Sequence, residues 1–140
     1  MYEQMKLGID IGGTTINIGK VKDGCLVSKV TVPSFLSDAT LKETEDYLIS
    51  KIKDNLSQDV EQIGIGVPSV VDVENGIVYN AANIPSWTEI HLKDDLQAAL
   101  GVPVRINNDA NCYALGAARQ IGLNDEEIFA CVTLGTGVGI

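Results

Sequence analysis

Asp10-Ile11-Gly12-Gly13-Thr14-Thr15 sets a carboxylate beside a glycine pair and two hydroxyls. In a turn between two strands, backbone N–H groups and threonine hydroxyls can converge on an anion while Asp10 projects from the strand end, an arrangement for phosphate and metal. A Walker loop needs Gly-x-x-x-x-Gly-Lys-Ser/Thr opening into a helix, and a Rossmann turn needs Gly-x-Gly-x-x-Gly before a helix. Neither stands here. Taken alone, such a stretch is far more often a structural hairpin turn, with Asp10 at the surface, than a functional one.

Asn107-Asn108-Asp109-Ala110-Asn111 lies where a strand gives way to a helix, the usual home of an Asn or Asp cap. Capping accounts for one of these polar side chains and does not require all four. A carboxylate at the carboxyl end of a strand in an α/β sheet faces the crevice where ligands bind. Asp109 there can accept the proton of a substrate hydroxyl as its oxygen attacks. Thr133-Leu134-Gly135-Thr136-Gly137-Val138-Gly139 is a second strand-to-glycine turn, suited either to phosphoryl oxygens or to another hairpin.

Positioning these groups falls to short elements. Leu7 to Ile11, Ile16 to Val21 and Leu26 to Val32 read as an antiparallel meander punctuated by Gly12-Gly13 and Asp23-Gly24. Thr40 and Glu43 have capping-box spacing, and Leu41, Leu48, Ile52 and Leu56 share one helical face, so a helix is expected over 39–56, covering the meander. Ile63 to Val67, ending at Pro68, suits a buried strand closely approached by backbone or ligand. Val70 to Val73 and Ile77 to Tyr79 flank an Asn-Gly hairpin signal. Leu92, Leu96 and Leu100 mark a second helix stopped by Gly101 and Pro103, Val104 to Ile106 a further strand, and Asn108 to Ala110 the start of a third helix running to about Gly122. Small residues Ala114, Gly116, Ala117 and Ala118 allow that helix to pack closely. Ile128 to Leu134 is the last strand, and the glycine turn after it looks cut in mid-motif.

The chain has 140 residues, 45% hydrophobic and 21% charged, which fits one globular α/β domain. Nineteen acidic against ten basic residues give a net charge of −9, a field that disfavours nucleic acid and anionic membranes as partners. Cys25, Cys112 and Cys131 are scattered, with only His91 to join them, so reduced and mostly buried thiols are expected rather than a zinc site. With no apolar run near the ~20 residues that cross a bilayer and no signal peptide, the expectation is a cytoplasmic protein. Residues 1–5 read as a leader. His91 is expected at the surface, Trp87 as a packed loop anchor and Tyr113 in the core.

The order Asp-Ile-Gly-Gly-Thr-Thr, Gly-Ile-Gly-Val-Pro, Asn-Ile-Pro-x-Trp, Asn-Asp-Ala-Asn and Leu-Gly-Thr-Gly-Val-Gly resembles the ROK family of sugar kinases and sugar-responsive repressors, essentially throughout from Lys6. The resemblance implies a ribonuclease-H-like (actin-like ATPase) α/β fold with a mixed sheet, antiparallel first hairpins and flanking helices, residues 6–140 being the N-terminal lobe. It implies ATP and Mg2+ as cofactors: Asp10 holding magnesium through water, Gly12, Gly13, Thr14 and Thr15 facing the phosphates, and Gly135, Thr136 and Gly137 forming a second phosphate turn. Asp109 would be the catalytic base and Asn108 a sugar ligand, with Pro68, Ser69 and the loop from Asn83 to Trp87 bordering the sugar. Ser69 and Ser86 stand where the family usually has glycine, and Ile140 where a small residue is usual.

Further sugar ligands, a zinc cluster and the adenosine pocket would belong to a second lobe. The resemblance therefore implies an ATP-dependent hexose kinase, glucokinase-like, acting by in-line phosphoryl transfer. The other reading is a sugar-sensing regulator, whose helix-turn-helix domain would precede the phosphate turn. Only nine residues precede Asp10, which favours the kinase. An isolated lobe is expected to be inactive and, through the strand ending at Leu134 and an unpaired turn after it, to self-associate.

Overall fold

The computed structural model describes residues 5–110, 112, 133, 134, 138 and 139. The meander forms as β1 (Met5–Ile11), β2 (Thr15–Lys22) and β3 (Cys25–Pro33), each antiparallel to the next. Asp23 (φ 52°) and Gly24 (φ 78°) supply the two positive φ angles of a two-residue hairpin turn. β1 begins two residues before the expected start at Leu7: Met5 pairs with Lys22 and Val60 and is buried.

Helix α1 (Leu41–Asn55) follows, with the Thr40 side chain accepting the Glu43 N–H at 3.2 Å. Its buried face matches the expected one at Leu48, Ile52 and Leu56 and departs from it in the first turn. Thr44, Leu48 and Ile52 are buried, whereas Leu41 in the first turn stands at the rim. Thr44 can go inside because its hydroxyl donates to the Leu41 carbonyl at 2.7 Å, so no polar group is left unpaired.

The chain then enters β4 (Val60–Val67), parallel to β1. A small antiparallel sheet comes next: β5 (Val70–Asp72), β6 (Ile77–Tyr79) and β7 (Glu89–Ile90). β5 ends at Asp72, one residue short of the expected strand, because Asp72 pairs with Ile77 across a four-residue loop. Asp72 accepts from the Asn75 N–H, and Gly76 takes φ 67°. Helix α2 (Leu92–Leu100) stops at Gly101 in the left-handed conformation and leads to β8 (Val104–Asn108), parallel to β4. Parallel neighbours need such crossovers. The main sheet is therefore mixed, in the order β3-β2-β1-β4-β8.

Alternation gives the sheet two unlike faces. Leu7, Ile9, Ile11, Ile16 and Ile18 join Ile63, Ile65, Val67, Val104 and Ile106 in one core with Leu48 and Ile52 of α1 and Leu92 and Leu96 of α2. On the opposite face Gly8, Asp10, Asn17, Gly19 and Arg105 line an open cavity of about 1040 Å³.

Helical backbone begins at Asp109, as expected, and is described at Ala110 and Cys112. The rest of that expected helix, with Asn111, Tyr113 and the small residues to Gly122, lies outside the described residues. So do Cys131, Ile140 and the strand before Thr133. β9 (Thr133–Leu134) pairs antiparallel with β10 (Val138–Gly139) in a two-stranded sheet. Gly135, Thr136 and Gly137 between them lie outside the described residues. No helix among the described residues is long and apolar enough to cross a membrane.

Candidate functional site

The glycine turn at the end of β1 is braced from both sides. Gly12 N–H donates to Thr15 O at 2.9 Å, and a Cβ on Gly12 would stand 2.9 Å from that same oxygen, so only glycine fits without a shift. Ser34, just past β3, donates its hydroxyl to Gly12 O at 2.7 Å and its N–H to Thr14 O at 2.9 Å. Gly13 and Thr14 are left exposed at the tip, and Thr15 is half-buried. Ser34 was not singled out in the sequence; no local pattern ties it to a turn that precedes it by two strands.

Asp10 and Asp109 come to the same end of the sheet. Asp10 pairs with Gly66 of β4, which pairs in turn with Asn107 of β8. A Cβ placed on Gly66 would lie 3.4 Å from Asp109 Cα and 3.4 Å from Cys112 Sγ, so this glycine lets the start of the next helix settle onto the sheet. Burial first, and then the negative charge of Asp109, pushes the Asp10 carboxyl above its ordinary range, while Asn17 and Lys29 favour its charged form. Asn17 Oδ1 accepts from Thr31 Oγ1 at 2.7 Å, which turns the amide nitrogen toward Asp10 as donor.

Two carboxylates that repel one another suit a cation. Magnesium takes oxygen ligands, keeps several waters and is commonly held by one or two carboxylates plus phosphates. The pair fits that ion. Among the described residues no three His, Cys, Asp or Glu side chains gather in a zinc-like cluster.

Asn108 is the cap of the helix that Asp109 begins: its Oδ1 accepts the Ala110 N–H at 2.9 Å, and its Nδ2 donates to Ser69 O at 2.9 Å. Asp109 Oδ1 also lies 2.8 Å from that N–H. The turn at Pro68 closes through Ser69 N–H to Val67 O at 2.9 Å. Asn83 is exposed and lies against Gly13. Trp87 is fully buried and donates its indole N–H to Thr44 Oγ1 at 2.7 Å, with the Phe35 ring 5.3 Å away. It is an anchor of its loop, as expected. His91 is exposed ahead of α2, as expected.

Both described cysteines depart from expectation. Cys25 and Cys112 are free, as expected, but exposed rather than buried: Cys25 opens β3, which among the described residues has no neighbour beyond it in the sheet. Cys112 keeps its sulfur against Gly66, where partial burial, followed by Asp10 and Asp109, pushes the thiol up. A thiol held protonated is a poor nucleophile.

A mixed sheet in this order, with two carboxylates at the carboxyl ends of its parallel strands, defines an α/β domain of the ribonuclease-H-like, actin-like ATPase class. The chain belongs to the ROK family, which it matches over residues 6–140. It is 33% identical over 139 residues to a glucokinase of Thermotoga maritima, covering 95% of this chain and 42% of that one. It is 36% identical over 137 residues to an N-acetyl-D-glucosamine kinase of Vibrio atlanticus, covering 96% and 45%. The crystal structure of a ROK family glucokinase from Streptomyces griseus with glucose and AMPPNP superposes with a TM-score of 0.80 at 34% identity, over 96% of this chain and 43% of that one. The chain thus spans less than half the length of these relatives.

Proposed function

We propose that this chain is the N-terminal lobe of a cytoplasmic, ATP-dependent hexose kinase, glucokinase-like, that transfers a γ-phosphoryl group to a sugar hydroxyl. The observation that carries the reading is the convergence of Asp10 and Asp109 beside Gly66 at one end of the sheet. Asp109 takes the proton of the attacking hydroxyl. Gly12, Gly13, Thr14 and Thr15 face the nucleotide phosphates through a turn whose carbonyls Ser34 holds back. Gly135, Thr136 and Gly137 supply a second such turn, and Asn108, Pro68 and Asn83 form the sugar side. Asp10 holds magnesium through water, and the ion, when bound, neutralises charge on the phosphoryl oxygens. Phosphoryl transfer asks for positioning and charge neutralisation more than covalent help, and this set of groups offers both.

The remaining sugar ligands, the zinc cluster and the adenosine pocket belong to a second lobe in this reading. The 140 residues alone are therefore inactive. They self-associate at the strand ending at Leu134 and the turn after it, and β3, an edge strand among the described residues that leaves Leu26, Val27 and Val30 exposed, adds a second such surface; a monomeric sedimentation profile at high concentration would count against that.

The test of the base is Asp109→Asn in the complete protein. Asn108 carries the helix cap, so the fold should survive, while kcat falls about 100-fold or more with little change in sugar KM. Near-normal kcat would sink the assignment.

A further inference from the structure

Ser69 is engaged at every polar group it has. Its N–H closes the turn about Pro68 on Val67 O at 2.9 Å, its carbonyl accepts from Asn108 Nδ2 at 2.9 Å, and its hydroxyl donates to the Tyr79 carbonyl. Three elements meet there: the end of β4, strand β6 of the small sheet and the end of β8. The N–H and carbonyl belong to the peptide whatever the side chain, and the ring of Pro68 fixes φ in the turn. Only the tie to Tyr79 depends on the residue being serine.

That tie reaches Asn108. The Asn108 amide is held at both ends, its oxygen by the Ala110 N–H and its nitrogen by the Ser69 carbonyl. These two contacts decide which way the amide faces. A peptide at residue 69 that rocks on the Pro68 turn would carry the acceptor of Asn108 with it. Bonding the Ser69 hydroxyl to β6 stops that rocking, because β6 is itself paired on both sides in the small sheet. The hydroxyl proton, committed to Tyr79, is not available to a sugar.

We infer that Ser69 is a positioning residue: it holds the small sheet and the Pro68 turn in register so that the Asn108 amide is presented to the sugar at a fixed angle. This rests on the reading of Asn108 as a sugar ligand.

The test compares Ser69→Ala, Ser69→Gly, Ser69→Thr and Asn108→Ala in the complete protein. Loss of one neutral hydrogen bond is worth a factor of about three to ten. Ser69→Ala and Ser69→Gly should raise sugar KM by about that factor, with kcat and KM for ATP nearly unchanged, and Ser69→Thr should restore it. In an Asn108→Ala background, Ser69→Ala should add nothing further, since contacts in one chain of hydrogen bonds do not add. The side-chain amide resonances of Asn108 should shift in Ser69→Ala and return in Ser69→Thr.

If Asn108→Ala leaves sugar KM unchanged, the ligand reading fails and the inference with it. If Asn108→Ala raises sugar KM while Ser69→Ala does not, or the two effects simply add, the role of Ser69 alone is overturned. Unmoved Asn108 amide resonances in Ser69→Ala would overturn it equally.

Discussion

The side chain of Asn83 lies against Gly13: a Cβ placed on that glycine would stand 3.2 Å from Asn83 Nδ2 and 3.4 Å from Asn83 Cγ. The phosphate-type turn and the Asn83 loop therefore meet where glycine has only a hydrogen. Gly13→Ala should press Asn83 aside by a few tenths of an ångström. Because the neighbour is an exposed side chain, stability should stay within about 0.5 kcal/mol of the parent. In the complete protein both the nucleotide and the sugar side should feel the change, with kcat/KM falling about tenfold. Steady-state kinetics with both KM values unchanged would separate the two loops functionally.

Trp87 and Thr44 form a buried pair that welds the same loop to α1. Thr44→Val keeps the shape of the side chain and removes the acceptor, leaving the indole N–H of a fully buried tryptophan unpaired. That should cost about 1–3 kcal/mol of stability. Chemical denaturation measures it, and a loss below half a kilocalorie would mean that the indole finds another acceptor. Since Trp87 is an anchor, kcat should not change.

Local signals were enough for much of this architecture. The Asp23-Gly24 turn, the Thr40 cap and the Gly101 stop are each written in two to four adjacent residues, and the alternation in β1 names its buried face. Asp10 and Asp109 were legible as candidates because each sits at a strand end beside turn or cap residues. Their convergence was not, since it depends on the parallel register of β1 and β8 on β4. Ser34 and Asn17 act across strands and carry no motif. β7 is two residues long, too short for any alternation, and exists because Val78 and Ile90 pair.

Ser86 shows the opposite of the Ser69 arrangement. Its hydroxyl is buried and has no hydrogen-bond partner among the described residues. A polar group in that state is destabilising, so Ser86→Ala should raise stability by about 1 kcal/mol. Thermal or denaturant unfolding decides it. A destabilised variant would mean that the hydroxyl has a partner in the folded protein.

Glu45 on α1 and Asp95 on α2 share a hydrogen bond across the seam between the helices. Partial burial, then that bond and the charges of Asp95 and Asp46, push the Glu45 carboxyl up to about 7, against a small opposing pull from Lys42. Lys42 is itself engaged with Asp46 at 2.8 Å. A carboxyl whose folded value lies above its unfolded one binds its proton more tightly in the native state. Its contribution is therefore present in full below the unfolded value of 4.5 and is lost as pH rises through about 7. Much of the side chain is open to solvent, so screening reduces the size of the effect. Glu45→Gln replaces the shared proton with a permanent amide donor to Asp95. The difference in stability between variant and parent should grow in favour of the variant from about pH 5 to about pH 8, and shrink with added salt. Measuring both proteins at each pH cancels the background from the other carboxylates. Parallel stability curves across that window would show that Glu45 titrates alike in the folded and unfolded chain, and the seam would then hold without a shared proton.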